Sequence, residues 1–314
     1  MLTFDRLKII SPVSSVRVTD KGAFEMLVRN GGEPVALIYE QALPFKLRLR
    51  IDYKKEEVST EFSGKVLGHD YPQLISRDNI RECFRNIERL GLCIFDMGMM
   101  LDSVVVSCDV SRDILCDDIK GLTSYMKSHV SNYGKYDVRL LKNGNLILAN
   151  NVVTKDIAKR MTVYDKAKEM RLAKNRAFIQ DYGIDGDFDG KCRFELNLKS
   201  QKMIRTALNI PCTDLNAVLS STANPIVDFL QESILASPCE RHFTSMKAYM
   251  YSLVIKDCNE DMAQVEGKVR SILPKRGTSI KRTVQPIREL YDILKSCRDN
   301  NGGVYAKALE MLKS

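Results

Sequence analysis

The sequence predicts an α+β fold: an antiparallel sheet core flanked by helices, with a mostly helical C-terminal extension. Three observations carry this. The first 70 residues fall into short, partly alternating runs rich in β-branched and aromatic side chains. Two amphipathic helical segments and three further alternating strands follow, and beyond about residue 200 the apolar residues recur almost wholly at helical spacing. Strands first and helices later define this class.

The early strands are "DRLKIIS", "AFEMLVR", "PVALIYE", "FKLRLRIDY" and "STEFSGKVL", with "NGGEP" (30–34) supplying turn chemistry between two of them. They read as an antiparallel meander with one wet face. A helix follows over 76–91, where Ile80, Cys83, Phe84, Ile87 and Leu90 share a face and Gly91 stands just past the end. "DSVVVSCDVS" (102–111) alternates as a strand. Residues 117–132 form a second helix through Ile119, Leu122, Tyr125, Met126 and Val130. Asn143-Gly144 centres a hairpin over 137–150. "MTVY" is a strand, "DKAKEMRLAKNRAFIQDY" a helix, and "CRFELNLK" (192–199) a strictly alternating strand. Helical patterns then cover 200–210, 214–234, 245–257 and 283–297. The expected division is a core of 1–211 and a helical region of 212–314 for DNA or partner binding.

The 314 residues carry 48 Lys and Arg against 40 Asp and Glu, a net charge of +8. Basic residues gather between about 154 and 206 and in "PKRGTSIKR" (274–282), a balance that suits a polyanion as readily as a solvated basic surface. Nine cysteines without a CxxC pair argue against a disulfide framework or a zinc site, and three scattered histidines argue against a histidine-rich metal centre. "GIDGDFDG" (183–190) lacks the ligand spacing of a calcium loop. No run approaches a bilayer span, and the start lacks a secretion layout, so a cytoplasmic protein with no membrane partner is expected.

Three strands place polar groups opposite their apolar residues: Ser107 and Asp109; Thr162 and Tyr164; Arg193, Glu195 and Asn197. In one sheet they would join two carboxylates, a phenol and cations on one face. Carboxylate oxygens suit Mg²⁺ or Mn²⁺. A phenol of pKa about 10 is a poor nucleophile unless a cation, here Lys166, favours the phenolate. Such a set could break and reseal a DNA strand. On pattern alone Tyr164 is either half-buried packing at a strand end or that nucleophile, with Tyr133 and Tyr136 as rivals.

"TVYDKAKEM", followed some twenty residues later by "RFELNLKSQKMIRTALNIP", resembles the phage/plasmid replication protein family II/X, which contains the filamentous-phage initiator. "EFSGKVLG", the helix ending "IERLG" and the "VSCDVS" strand follow the family's order, and the likeness spans roughly residues 1–211. The resemblance implies a rolling-circle replication initiator of a bacterial host. Its tyrosine attacks one strand at an origin, stays joined to the 5′ phosphate and later reseals the displaced strand. Carried over, Tyr164 is the nucleophile and Lys166 a phosphate or leaving-group contact. Asp109 and Glu195 are metal ligands, with Glu169 a further motif acid assigned to the metal. Arg193, Lys199 and Lys202 are DNA contacts. Mg²⁺ or Mn²⁺ is the implied cofactor. Single-stranded and origin DNA are the implied partners, and a host helicase is a further one. The sequence departs from the phage initiator at Ser107, where that protein has arginine, and it lacks a histidine-hydrophobe-histidine metal motif, so carboxylates would hold the metal. The alternative is an origin- or single-strand-binding replication factor that does not cleave. A relaxase or integration protein using related tyrosine chemistry is a third reading.

Overall fold

The structure, a computed structural model, describes residues 2–28, 33–131, 135–150, 159–234, 245–273, 277–299 and 303–314. Residues 30–32 of the predicted turn at 30–34, Tyr133 and residues 274–276 of the predicted basic stretch lie outside these. The strands are β1 (Phe4–Pro12), β2 (Val16–Val18), β3 (Glu25–Val28), β4 (Pro34–Gln41), β5 (Leu47–Asp52), β6 (Glu57–Ser63), β7 (Cys93–Phe95), β8 (Val104–Leu115), β9 (Tyr136–Leu140), β10 (Leu146–Asn150), β11 (Arg160–Asp165) and β12 (Lys191–Leu198). The helices are α1 (Ile80–Glu88), α2 (Met97–Leu101), α3 (Ile119–Ser128), α4 (Lys166–Met170), α5 (Ala173–Tyr182), α6 (Gln201–Leu208), α7 (Leu215–Ser220), α8 (Pro225–Ser233), α9 (Met246–Asp257), α10 (Met262–Ile272), α11 (Gly277–Asp299) and α12 (Gly303–Lys313).

Ten strands form one antiparallel sheet in the order β3-β4-β5-β6-β1-β8-β12-β11-β10-β9. The fold is therefore α+β with a large antiparallel sheet and C-terminal helices. Period-2 alternation divides the sheet's residues between two faces. Leu7, Ile9, Phe62, Val105, Cys108, Val110, Phe194, Leu196, Met161 and Val163 point one way, into the main core, which Phe84 of α1, Met126 of α3 and Ile204 of α6 complete. The opposite face is polar. One end of it is covered by a second, smaller cluster of Tyr71, Leu74, Met170, Phe178, Ile179, Ile184 and Phe188.

Three features differ from the sequence expectation. The helix over 165–182 is two, because Leu172 is extended (φ −63°, ψ 146°) and breaks the run between α4 and α5. The main core does not stop at 211: Leu215, Val218, Ile226, Phe229 and Leu230 of α7 and α8, with Tyr305, Ala308 and Leu312 of α12, belong to it. Only α9–α11 build a core of their own, around Ile255, Val265, Val269, Val284 and Ile287. Helices α10 and α12 and the small β2–β7 pair were not anticipated. Among the described residues no helix is long and apolar enough to cross a membrane.

Candidate active site

Strand register lines the polar groups up in cross-strand rows, since directly paired residues face the same side. One row runs Tyr164, Arg193, Asp113 across β11, β12 and β8. The next runs Thr162, Glu195, Ser111, and the third runs Arg160, Asn197, Asp109, Arg6, Ser63. The three strands chosen from sequence are thus neighbours in one sheet, and their polar positions share a face. Tyr164 and Glu195 are diagonal neighbours, as are Glu195 and Asp109.

The Tyr164 hydroxyl donates to Glu195 Oε2 at 3.2 Å. The residue is buried, 8% exposed, yet belongs to none of the apolar clusters. Burial raises the phenol well above its usual pKa; the Arg193 charge opposes this, and the Glu195 and Asp5 charges reinforce it. The expectation that Lys166 would favour the phenolate is therefore corrected. Lys166 lies 5.7 Å from the Tyr164 ring centroid, while its ammonium donates to Tyr71 Oη at 2.7 Å and to Glu169 at 2.8 Å. Desolvation of the hydroxyl outweighs the cations near it. Burial, with the Asp5 and Asp109 charges, pushes the Glu195 carboxyl up to about 7, against the favourable Arg193 charge and the Tyr164 hydrogen bond. A phenol thus donates to a carboxyl that changes charge near neutral pH.

Arg193 is the hub of this face and is 0% exposed. Its Nε and Nη2 grip Asp113 at 2.6 and 2.8 Å, and its Nη1 donates to Asp5 at 2.7 Å and to Tyr71 Oη at 3.0 Å. A guanidinium so enclosed presents no surface to DNA, which corrects its assignment as a DNA contact. Its residue type fits instead the bidentate geometry that Asp113 offers. Lys166 is also buried, 2% exposed, at the start of α4 rather than on a strand, because the Asp165 side chain caps that helix through the Lys168 amide. Lys199 and Lys202 are exposed at the end of β12 and the start of α6.

The three predicted metal ligands do not converge, and no group of three His, Cys, Asp or Glu side chains able to hold a metal occurs among the described residues. Glu169 is turned to Lys166, to the Asn175 amide at 3.0 Å and to Lys174 at 3.6 Å. Burial would raise its carboxyl, but Lys166, the Asn175 amide and the Lys65 charge together outweigh that and hold it at about 2. Asp109 takes Arg6 Nε at 2.7 Å and Nη2 at 3.1 Å, with the Asn197 amide as a third donor. Glu195 alone of the three makes no ion pair among the described residues, and its carboxyl is raised first by burial and then by the Asp5 and Asp109 charges. That donor chemistry suits a divalent cation at Glu195; Asp109 would join as second carboxylate only by exchanging its Arg6 ion pair for the metal, and Glu169, locked to Lys166, does not fit.

Sequence reading missed Asp5, Arg6, Tyr71 and Asp113. Asp113 was within reach, since β8 continues its alternation to Leu115 rather than ending at 111. Asp5 and Arg6 were not, because strict alternation sends neighbours to opposite faces. A register shift between Phe4 and Arg6 lets both side chains serve the polar face, Asp5 on Arg193 and Arg6 on Asp109. Arg6 also donates to Ser107 Oγ at 3.0 Å, so an arginine does attend this strand, supplied by β1. Tyr71 arrives from a 3-10 segment with no local signal. Tyr136 lies on β9, the edge strand of the sheet, and packs its ring against Phe229, away from these rows. Comparison with family models, with curated proteins and with solved structures finds no match in any of the three.

Proposed function

We propose that the chain is a metal-dependent DNA strand nicking and closing enzyme, a rolling-circle replication initiator acting at an origin through a phosphotyrosine link. The observation that carries this reading is the Tyr164 hydroxyl donating to a Glu195 carboxyl poised near pH 7. Glu195 accepts the phenolic proton as Tyr164 Oη forms its bond to phosphorus and the bond from phosphorus to the 3′ oxygen breaks; the 3′ oxygen leaves as a hydroxyl, protonated from Glu195. Closing runs the same exchange backwards, with Glu195 taking the proton of the 3′ hydroxyl and returning one to the phenol. Glu195 and Asp109 would hold Mg²⁺ or Mn²⁺, which when bound supplies electrostatic stabilisation of the phosphodiester's developing charge. Arg193, Asp5, Asp113 and Tyr71 position the Tyr164–Glu195 pair from beneath and beside it. Lys199 and Lys202, exposed beyond β12, supply phosphate contacts.

The test is incubation of the full chain with end-labelled single-stranded origin oligonucleotides and Mg²⁺ or Mn²⁺. A covalent adduct that survives denaturation is expected, and Tyr164→Phe should abolish it while leaving DNA affinity within about twofold. The low exposure and raised pKa of Tyr164 favour one alternative, a replication factor that binds origin or single-stranded DNA without cleaving it. Binding with no adduct under either metal would establish that alternative and sink the nickase. A second expectation concerns salt: replacing both Lys199 and Lys202 with alanine should flatten the log-affinity against log-salt slope by about 1 to 2, measured by anisotropy titration. An unchanged slope would remove both lysines from the DNA path.

A further inference from the structure

On the helix-covered side of the sheet, a cavity of about 360 Å³ opens between the start of β1, strand β8, the segment from α7 to α8 and the end of α12. We infer that this cavity is a binding site for a small phosphate-bearing molecule, separate from the polar face that carries Tyr164. Arg112 lies on β8 between Ser111 and Asp113, so alternation sends it to the face opposite theirs, and it is half-buried. Arg77, from the loop before α1, lines the same cavity and is exposed. Neither guanidinium makes a hydrogen bond or ion pair with any described residue, unlike those of Arg6 and Arg193. Lys313 adds a third cation, shared with Glu310 at 2.7 Å. No aspartate or glutamate is among the lining residues, and Ser220 and Thr222 bring hydroxyls.

A half-buried guanidinium without a carboxylate is partly desolvated at a cost, and a second cation on the same cavity wall adds to the positive potential there. An anion relieves both. Two arginine forks match phosphate oxygens bidentately, and serine and threonine hydroxyls supply neutral donors. The positive end of α8, whose N-cap Asn224 and second residue Ile226 line the cavity, favours the same charge. The volume is that of a pocket for a small ligand and not of a groove for a polymer. Inorganic phosphate and a nucleotide share the chemistry; they differ in how much of the cavity they fill.

The experiment is calorimetric titration of the full-length protein with three probes: inorganic phosphate, ATP without added metal, and a short single-stranded oligonucleotide without terminal phosphates. Saturable binding of phosphate or ATP is expected, weakened about tenfold or more by Arg112→Ala and by Arg77→Ala. Tighter binding of ATP than of phosphate would assign the site to a nucleotide, and equal binding to the free anion. Tyr164→Phe should leave these affinities unchanged, so the result stands apart from the fate of the nickase reading. Arg77 is exposed and makes no contact the fold needs, so that variant reports binding even where Arg112→Ala is poorly folded. The site is overturned if neither small probe binds, if Arg77→Ala binds as the parent does, or if only the oligonucleotide responds to the two substitutions.

Discussion

Arg193→Met should destabilise the protein by about 3–5 kcal/mol, read as a drop in urea-unfolding free energy at neutral pH. The guanidinium is fully buried and holds Asp113 through two hydrogen bonds and Asp5 through one. Removing it leaves Asp113 without its ion-pair partner and Asp5 with only the more distant Lys166 charge, in a largely dehydrated site, and it frees the Tyr71 hydroxyl from one partner. The cost is that of stranded anions more than that of a lost attraction, so a second substitution should recover part of it. Arg193→Met with Asp113→Leu is expected to be more stable than Arg193→Met alone. Arg193→Lys should fall short of wild type as well, because one ammonium cannot reproduce the fork on Asp113. A loss below about 1 kcal/mol for Arg193→Met would mean that this network is solvated and not the keystone of the polar face.

Glu195→Gln should separate stability from activity. The Glu195 carboxyl titrates near 7 in the fold against an ordinary 4.5. Between those values the folded protein holds a proton that the unfolded chain has released, so the folded state is favoured by this group below pH 4.5 and loses that advantage as pH rises through 7. Above 7 the buried charge costs about 3 kcal/mol relative to a neutral group. Glu195→Gln should therefore be more stable than wild type at pH 8 and nearly equal to it at pH 5. Adduct formation should fall by about 10²–10⁴-fold, since the amide cannot take the phenolic proton. Mn²⁺ should raise the melting temperature of wild type at pH 8 and leave that of Glu195→Gln unmoved. A destabilised Glu195→Gln at pH 8, or one that forms adduct at the wild-type rate, would remove Glu195 from the role of proton acceptor. Glu169, held at about 2, works in the opposite sense: its contribution is present above about 4.5 and is lost as pH falls toward 2.

The alternating runs around Asp109, Thr162 and Glu195 carried their message in the sequence, because a strand half buried on one face must repeat every two residues. That pattern gave β8, β11 and β12 and the polar face they share. It could not give Lys166 its place, since Asp165 ends the strand by capping a helix and turns the lysine down to Tyr71. Nor could it show that Asp109 already carries Arg6, which comes from a hundred residues away.

Local periodicity and turn chemistry by themselves determined the class of fold, most of the strands and which side chains lie opposite the core. Tertiary structure alone decided which of those polar groups meet, that Arg193 is a buried anchor and not a surface contact, and that the helices α7, α8 and α12 complete the main core. The physical reason is that strand register, bulges and desolvation are properties of chain segments brought together from far apart. A side chain's charge state depends on those neighbours and not on its own segment.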